Sequence, residues 1–197
     1  MAKGVFSEVE RKVMHIFILV ALIIFFAIKS QISHQAGLMF LVLLLIIFLA
    51  LEYMRLDLGM KLPFIYSLIR PKDDHRIHGI IFFISSTIIT LAVFDTAIAL
   101  AALLMTTFGD MAAAIVGKKY GTAMLFRNKT VVGFSSELVT NLIAGVIISL
   151  FFSVNIYILI IMAFAATIAE TLTDEIEDNL VVPIISGFIG QILLLAV

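Results

Sequence analysis

Three stretches of this chain place acids, lysines and glycines where metal and phosphate chemistry could be built. The first is Gly109-Asp110-Met111-Ala112-Ala113-Ala114-Ile115-Val116-Gly117-Lys118-Lys119-Tyr120-Gly121. On a helix, Asp110, Ala114, Gly117 and Gly121 share one face. A carboxylate above a stripe of small residues lets an anionic ligand come close, with Asp110 on its metal and Lys118 and Lys119 on its phosphates. The plainer alternative is helix packing through small residues. It explains the glycines but not a carboxylate in an apolar run. The second stretch, Arg127 to Glu137, holds Lys129, Thr130, Gly133, Ser135 and Ser136. Lysine and hydroxyls ahead of a helix suit phosphate, because the free N–H groups there point at an anion. Equally, Ser135 or Ser136 could simply cap a helix beginning near Leu138. The third stretch is Glu170-Thr171-Leu172-Thr173-Asp174-Glu175-Ile176-Glu177-Asp178-Asn179. If helical, it puts Glu170, Asp174, Glu177 and Asp178 on one arc. A bound Mg²⁺ would relieve the repulsion among such carboxylates, taking one or two of them together with substrate phosphate oxygens. Glu170, inside an apolar run, and Asp178 are the stronger metal candidates; Asp174, Glu175 and Glu177 read as a solvated acidic loop.

These groups need elements to hold them, and composition says what kind. Of 197 residues, 62% are hydrophobic and 14% charged. Soluble domains carry roughly a quarter charged residues, so lipid must be the solvent for much of this chain. The expected fold is an all-α polytopic membrane protein with a single catalytic domain over residues 1–197. Its seven spans are Val13–Ile28, Gly37–Leu51, Gly79–Phe94, Thr96–Val116, Leu138–Val154, Ile156–Thr171 and Leu180–Val197. Asp95 divides the third from the fourth, since a charge is cheap at a turn and costly at mid-membrane. Pro63 and Pro71 punctuate a polar loop, and Pro183 falls in the first turn of the last span. The run after Lys3, Arg11 and Lys12 lacks a small-residue cleavage site and reads as a retained span. Lysine and arginine gather before the first span, between the second and third, and between the fourth and fifth, which predicts that the N-terminus and these segments are cytoplasmic. His15 lies at the start of the first span, where a polar partner is plausible. Glu52 and Arg55 read as interface anchors, and His75 and His78 as loop residues.

Several classes fall away. Without cysteine there is no disulfide, thiolate nucleophile or thiolate metal site. No P-loop, dinucleotide-binding glycine motif, zincin or nucleophile-elbow motif occurs. The net charge of −1 carries no basic, aromatic-interleaved patch, so no nucleic-acid partner is expected.

Taken in order, Gly109-Asp110 with Ala113, Gly117 and Gly121, then Lys129-Thr130 with Gly133, then Glu170, Asp178-Asn179 and Pro183, resemble the CTP-dependent lipid-alcohol kinases. That family includes dolichol, phytol and farnesol kinases and CTP-dependent diacylglycerol kinase, and is distantly similar to phosphatidate cytidylyltransferases. Arg11-Lys12-x-x-His15 fits as well. The family commonly has Glu before the glycine of the lysine motif and Ser or Thr after it; Val132 and Phe134 stand there, with Ser135 the nearest hydroxyl. The cytidylyltransferases tend to carry Asp-Arg late in the chain and Pro before the motif lysine; Asp178-Asn179 and Asn128 stand instead, which favours kinase. The resemblance implies transfer of the γ-phosphate of CTP to a membrane lipid alcohol, with dolichol or another polyprenol foremost and phytol-like alcohols or diacylglycerol also open. Asp110, Asp178 and Glu170 would hold Mg²⁺. Gly109, Gly117, Lys118, Lys119, Gly121, Lys129, Thr130, Gly133, Ser135 and Asn179 would bind the nucleotide at the cytoplasmic face of the bilayer. The rivals are CDP-lipid synthesis and a small membrane transporter with Asp110 and Glu170 as ion ligands. A transporter would favour midplane ligands and inverted repeats; no repeat is visible, and the charges gather at one face.

Overall fold

A computed structural model of the chain describes residues 2–59, 77–126, 129–173 and 178–196, with side chains described from Val13 onward. Pro63 and Pro71, the cations of residues 60–76, His75, Arg127, Asn128, Asp174, Glu175 and Glu177 lie outside the described residues. So do the side chains of Arg11 and Lys12.

Seven helices run through the described residues: α1 (Ala2–Gln31), α2 (His34–Leu56), α3 (Gly79–Val93), α4 (Thr96–Tyr120), α5 (Val131–Phe152), α6 (Ile156–Leu172) and α7 (Asp178–Ala196). Each holds one of the expected spans. Five, counting α1 from Val13, are long and apolar enough to cross a membrane. The exceptions are α3 and α6, which have 15 and 17 residues. At 1.5 Å per residue they reach about 22 and 26 Å, short of the roughly 30 Å of a hydrocarbon core. The all-α membrane fold holds; of the seven apolar helices among the described residues, five are long enough to span by themselves. A two-stranded ribbon of β1 (Met124–Phe126) and β2 (Lys129–Thr130), antiparallel, interrupts the all-α pattern between α4 and α5.

The chain forms two compact units, Met1–Ile88 and Ile89–Val197. In the first, α1 and α2 make a hairpin. Ser33 caps α2 by accepting from the Ala36 N–H at 3.1 Å. At Gly37 a Cβ would come within 2.8 Å of the Phe25 ring, so the helices touch where only glycine fits. His15 is fully buried and meets Phe83 edge-on, with ring centres 5.8 Å apart. Glu52 and Arg55 are buried rather than interfacial: Arg55 donates from both Nε and a terminal nitrogen to the Glu52 carboxylate. The carboxylate also accepts from the His78 N–H at 2.8 Å, which fixes the approach to α3. A lone anchor could not stay buried; the bidentate pairing makes it affordable.

In the second unit, α4 packs against α5, α6 and α7. Alanines at 97, 99, 101 and 102 bring its neighbours close, and all four are buried. Asp95 does stand at the α3–α4 turn, where its carboxylate caps α4 by accepting from the Ala97 N–H at 2.9 Å. Its own N–H donates to Gln191 of α7. Buried hydroxyls of Thr106, Thr107, Thr167, Thr171 and Ser186 each bond the carbonyl four residues back on their own helix, the usual way a hydroxyl survives in an apolar interior. Outward faces carry residues such as Leu150, Phe151 and Leu195, each about four-fifths exposed, as a surface facing lipid requires.

Three sequence expectations shift here. α5 begins at Val131, seven residues ahead of Leu138, because Thr130 caps it by accepting from the Gly133 N–H at 3.1 Å. Ser135 and Ser136 are therefore inside the helix and not its caps. α7 begins at Asp178, so Pro183 lies in the second turn, where the ring withholds a hydrogen bond from the Asn179 carbonyl. Gly121 is the residue after α4, in extended conformation, and not the end of its helical stripe.

Candidate metal centre

Asp110 lies on α4, Glu170 in the last turn of α6 and Asp178 at the first residue of α7. All three are buried, with 4%, 2% and 4% of their surface exposed. One carboxylate oxygen from each lies within 4.8 Å of the other two. The third stretch thus works differently from a single arc. Thr173 ends α6 in extended conformation, and Glu170 and Asp178 meet from two helices. Asp178 turns its carboxylate back to accept from the Asn179 N–H at 2.7 Å, which locks the side chain at the helix start.

Three oxygens this close fit a divalent cation. Mg²⁺ draws its oxygens to about 2.1 Å, so these three carboxylates would converge on one ion by side-chain rotation. The choice of hard oxygen donors also fits Mg²⁺ better than a softer metal.

Lys129 completes the arrangement. Its ammonium donates to Glu170 Oε1 at 2.5 Å, bringing β2 against α6. Burial works against the ammonium's charge, but Glu170 foremost, then Asp110 and Asp178, outweighs it, and the pKa rises above the ordinary lysine value. Lys129 therefore carries its charge throughout the physiological range.

Glycines set how closely this wall is built. At Gly117 and Gly133 a Cβ would come within 3.1 Å of the Thr130 hydroxyl, and at Gly121 within 2.5 Å of it. Gly109 faces Asn141, whose Oδ1 would stand 2.5 Å from a Cβ there. Asn141 cannot easily yield: it is fully buried and donates to Thr167 Oγ1 at 3.0 Å. Gly109→Ala is accordingly expected to destabilise by about 1–3 kcal/mol through overpacking, read as a lower melting temperature in detergent. An unchanged melting temperature would show that Asn141 moves freely.

Other candidates fall elsewhere. Lys118 and Lys119 are exposed at the end of α4, with Lys119 over the Tyr120 ring at 5.1 Å. Ser135 is exposed and donates to the Val131 carbonyl. It points away because it lies one turn beyond Val131, on the same outward face. The Thr130 hydroxyl is engaged as the α5 cap, and the Val131 N–H donates to the Ala123 carbonyl, so part of the expected phosphate cradle already has partners. Asn179 is buried beside Asp178.

Sequence reasoning assigned no role to Glu137. It is 3% exposed, on the buried face of α5 with Gly133 and Asn141. The signal was available: Gly133, Glu137, Asn141 and Gly145 recur every four residues through an apolar helix. It was hidden by starting that helix too late.

No family model matches the chain, and no solved structure matches it. Curated proteins do. CTP-dependent diacylglycerol kinase 1 of Saccharomyces cerevisiae is 29% identical over 136 residues, covering 64% of this chain and 45% of that protein. Probable chloroplastic phytol kinases of Zea mays and Triticum aestivum are each 28% identical over 138 residues, covering 62% of this chain and 46% of theirs. The chain thus spans just under half the length of the curated relatives it matches. These relatives support the resemblance to the CTP-dependent lipid kinases that the ordered motifs carry.

Proposed function

We propose that this chain is a phosphotransferase that moves the γ-phosphate of CTP to the hydroxyl of a membrane lipid alcohol, with Mg²⁺ as cofactor. The observation that carries the reading is the buried Asp110–Glu170–Asp178 triangle with Lys129 held against it, in a membrane chain whose relatives include a CTP-dependent diacylglycerol kinase and probable phytol kinases. In the reaction the lipid oxygen attacks the γ-phosphorus, the bond to the β–γ bridging oxygen breaks, CDP leaves and the hydroxyl proton is lost. Phosphoryl transfer of this kind asks the protein mainly for positioning and charge neutralisation. Mg²⁺ bound to the three carboxylates would offset charge on the phosphate oxygens. Lys129 would add a second positive charge beside them, and the glycines at 109, 117, 121 and 133 let α4, α5 and β2 pack closely around the site.

The site belongs, in this reading, at the cytoplasmic face, where the lysine and arginine bias places the α4–α5 connection. A triphosphate cannot enter hydrocarbon, and a lipid hydroxyl stays at headgroup level because burying it unpaired is costly. The two can meet only at the interface. The names of the relatives put diacylglycerol and phytol first among substrates to test, with dolichol and other polyprenols after them.

The experiment is label transfer. Purified protein in lipid vesicles with Mg²⁺ and a panel of lipid alcohols should move label from γ-labelled CTP into lipid and release CDP. Label from α-labelled CTP reaching phosphatidate, with pyrophosphate released, would replace the kinase reading by CDP-lipid synthesis. Transfer of neither label would refute both.

A further inference from the structure

Glu137 is buried near the carboxylate triangle and Lys129 but outside the group of mutually close metal-ligand atoms. The buried face of α5 includes Gly133, Glu137 and Asn141, one turn apart. Gly133 packs at the level of Ala113 and Gly117 of α4, and Asn141 at the level of Gly109. The two helices run antiparallel, so Glu137 stands between these levels, beside Asp110. Asn141 also donates to Thr167 of α6. One turn from that bond, α5 presents Glu137 and α6 presents Glu170. The Glu137 carboxyl lies within electrostatic reach of Glu170, Lys129, Asp110 and Asp178. Yet the group of mutually close metal-ligand atoms comprises Asp110, Glu170 and Asp178 without it.

Glu137 is 3% exposed, and none of the side-chain hydrogen bonds or ion pairs described above involves it. Taking a carboxyl group out of water without a donor is costly. A site that keeps one expects a ligand to supply the donor. The triphosphate presents acceptors and negative charge, which a carboxylate repels. A hydroxyl presents a donor.

We propose that Glu137 is the catalytic residue that receives the acceptor hydroxyl. Its carboxylate accepts the O–H hydrogen bond and, as the oxygen attacks the γ-phosphorus and the bond to the bridging oxygen of departing CDP breaks, takes the proton and later yields it to water. This rests on the kinase reading for its chemistry, but the hydroxyl recognition can be measured without turnover.

Two readouts test it. In the first, phytol and its methyl ether are titrated into the protein in vesicles with Mg²⁺ and CDP present. The wild type should prefer the alcohol about tenfold, the worth of a hydrogen bond to a charged acceptor. Glu137→Met should lose that preference while still binding Mg²⁺ and CTP. Equal binding of alcohol and ether by the wild type would overturn the proposal, whether or not label is transferred from CTP. In the second, Glu137→Gln should lower transfer at least about a hundredfold, with CTP affinity in Mg²⁺ within about threefold of wild type and an unchanged melting temperature, because the amide keeps the shape of the side chain. Transfer within threefold of wild type would overturn the proposal. So would loss of Mg²⁺-dependent CTP binding, which would put Glu137 among the metal ligands. Failure of the wild type to transfer γ-label refutes the kinase reading alone, since the alcohol preference stands or falls independently.

Discussion

Asp110→Asn should yield a folded protein whose transfer rate has fallen by about a thousandfold or more, the scale of losing a metal's stabilisation of transition-state charge. The amide keeps the shape of the side chain, so the α4–α5 packing through Gly109 and Asn141 is undisturbed. It takes one acid out of a cluster of buried carboxyl groups, Asp110, Glu137, Glu170 and Asp178, gathered near Lys129. Carboxyl groups held this close repel one another, so the substitution should not lower the melting temperature. What it should lose is stabilisation by added Mg²⁺, which in the wild type raises the melting temperature by mass action. Turnover and Mg²⁺ response both at wild-type levels would remove Asp110 from the site.

Lys129→Met should be the most damaging change outside the acids, and in two ways. It takes positive charge from the phosphate side of the reaction, for a loss of about a hundredfold or more. It also leaves Glu170, 2% exposed, facing Asp110 and Asp178 without its ammonium. Breaking a fully buried pair costs 3–5 kcal/mol; with the lysine side chain 24% exposed, about 2 kcal/mol is expected here. Lys129→Met combined with Glu170→Gln should recover the stability and none of the activity. If the single change left the melting temperature untouched, the ion pair would not hold β2 to α6. The sign with pH is fixed by the raised lysine pKa. The pair's contribution is fully present below the ordinary lysine value and fades only as pH rises through the higher folded-state value, so it is constant near neutrality.

The helical spans were legible because each apolar run is bounded by residues that hydrocarbon rejects. Asp95 is the clearest case: a charge that had to sit at a turn also turned out to be the cap of the helix it precedes. The start of α5 was not legible. Residues 131–137 carry glycine, two serines and a glutamate, a composition that reads as loop. Local propensity lost to tertiary packing: Gly133 is needed against Gly117, Ser136 donates to the Ala112 carbonyl, and Glu137 turns inward. Asp110, Glu170 and Asp178 could be chosen one by one as carboxylates too costly to keep in apolar runs without a purpose. Their meeting could not be read from periodicity, since the three come from three different helices. Lys118 and Lys119 stand some 12 Å or more along the helix axis from Asp110, so only their long side chains could bring them to a ligand shared with it.

The Lys129–Glu170 contact also governs how two ligands of this site would influence one another. Glu170 Oε1 holds the ammonium of Lys129. In the kinase reading, Glu170 bound to Mg²⁺ would share its charge between the ion and the lysine, and Lys129 would have more charge to offer the triphosphate. Each ligand would then lower the cost of accommodating the other. Such a linkage is a coupling free energy, equal in both directions by thermodynamic necessity. The factor by which CTP tightens Mg²⁺ should match the factor by which Mg²⁺ tightens CTP. In Lys129→Met both should shrink together, towards the value that direct association of Mg²⁺ with the triphosphate supplies by itself.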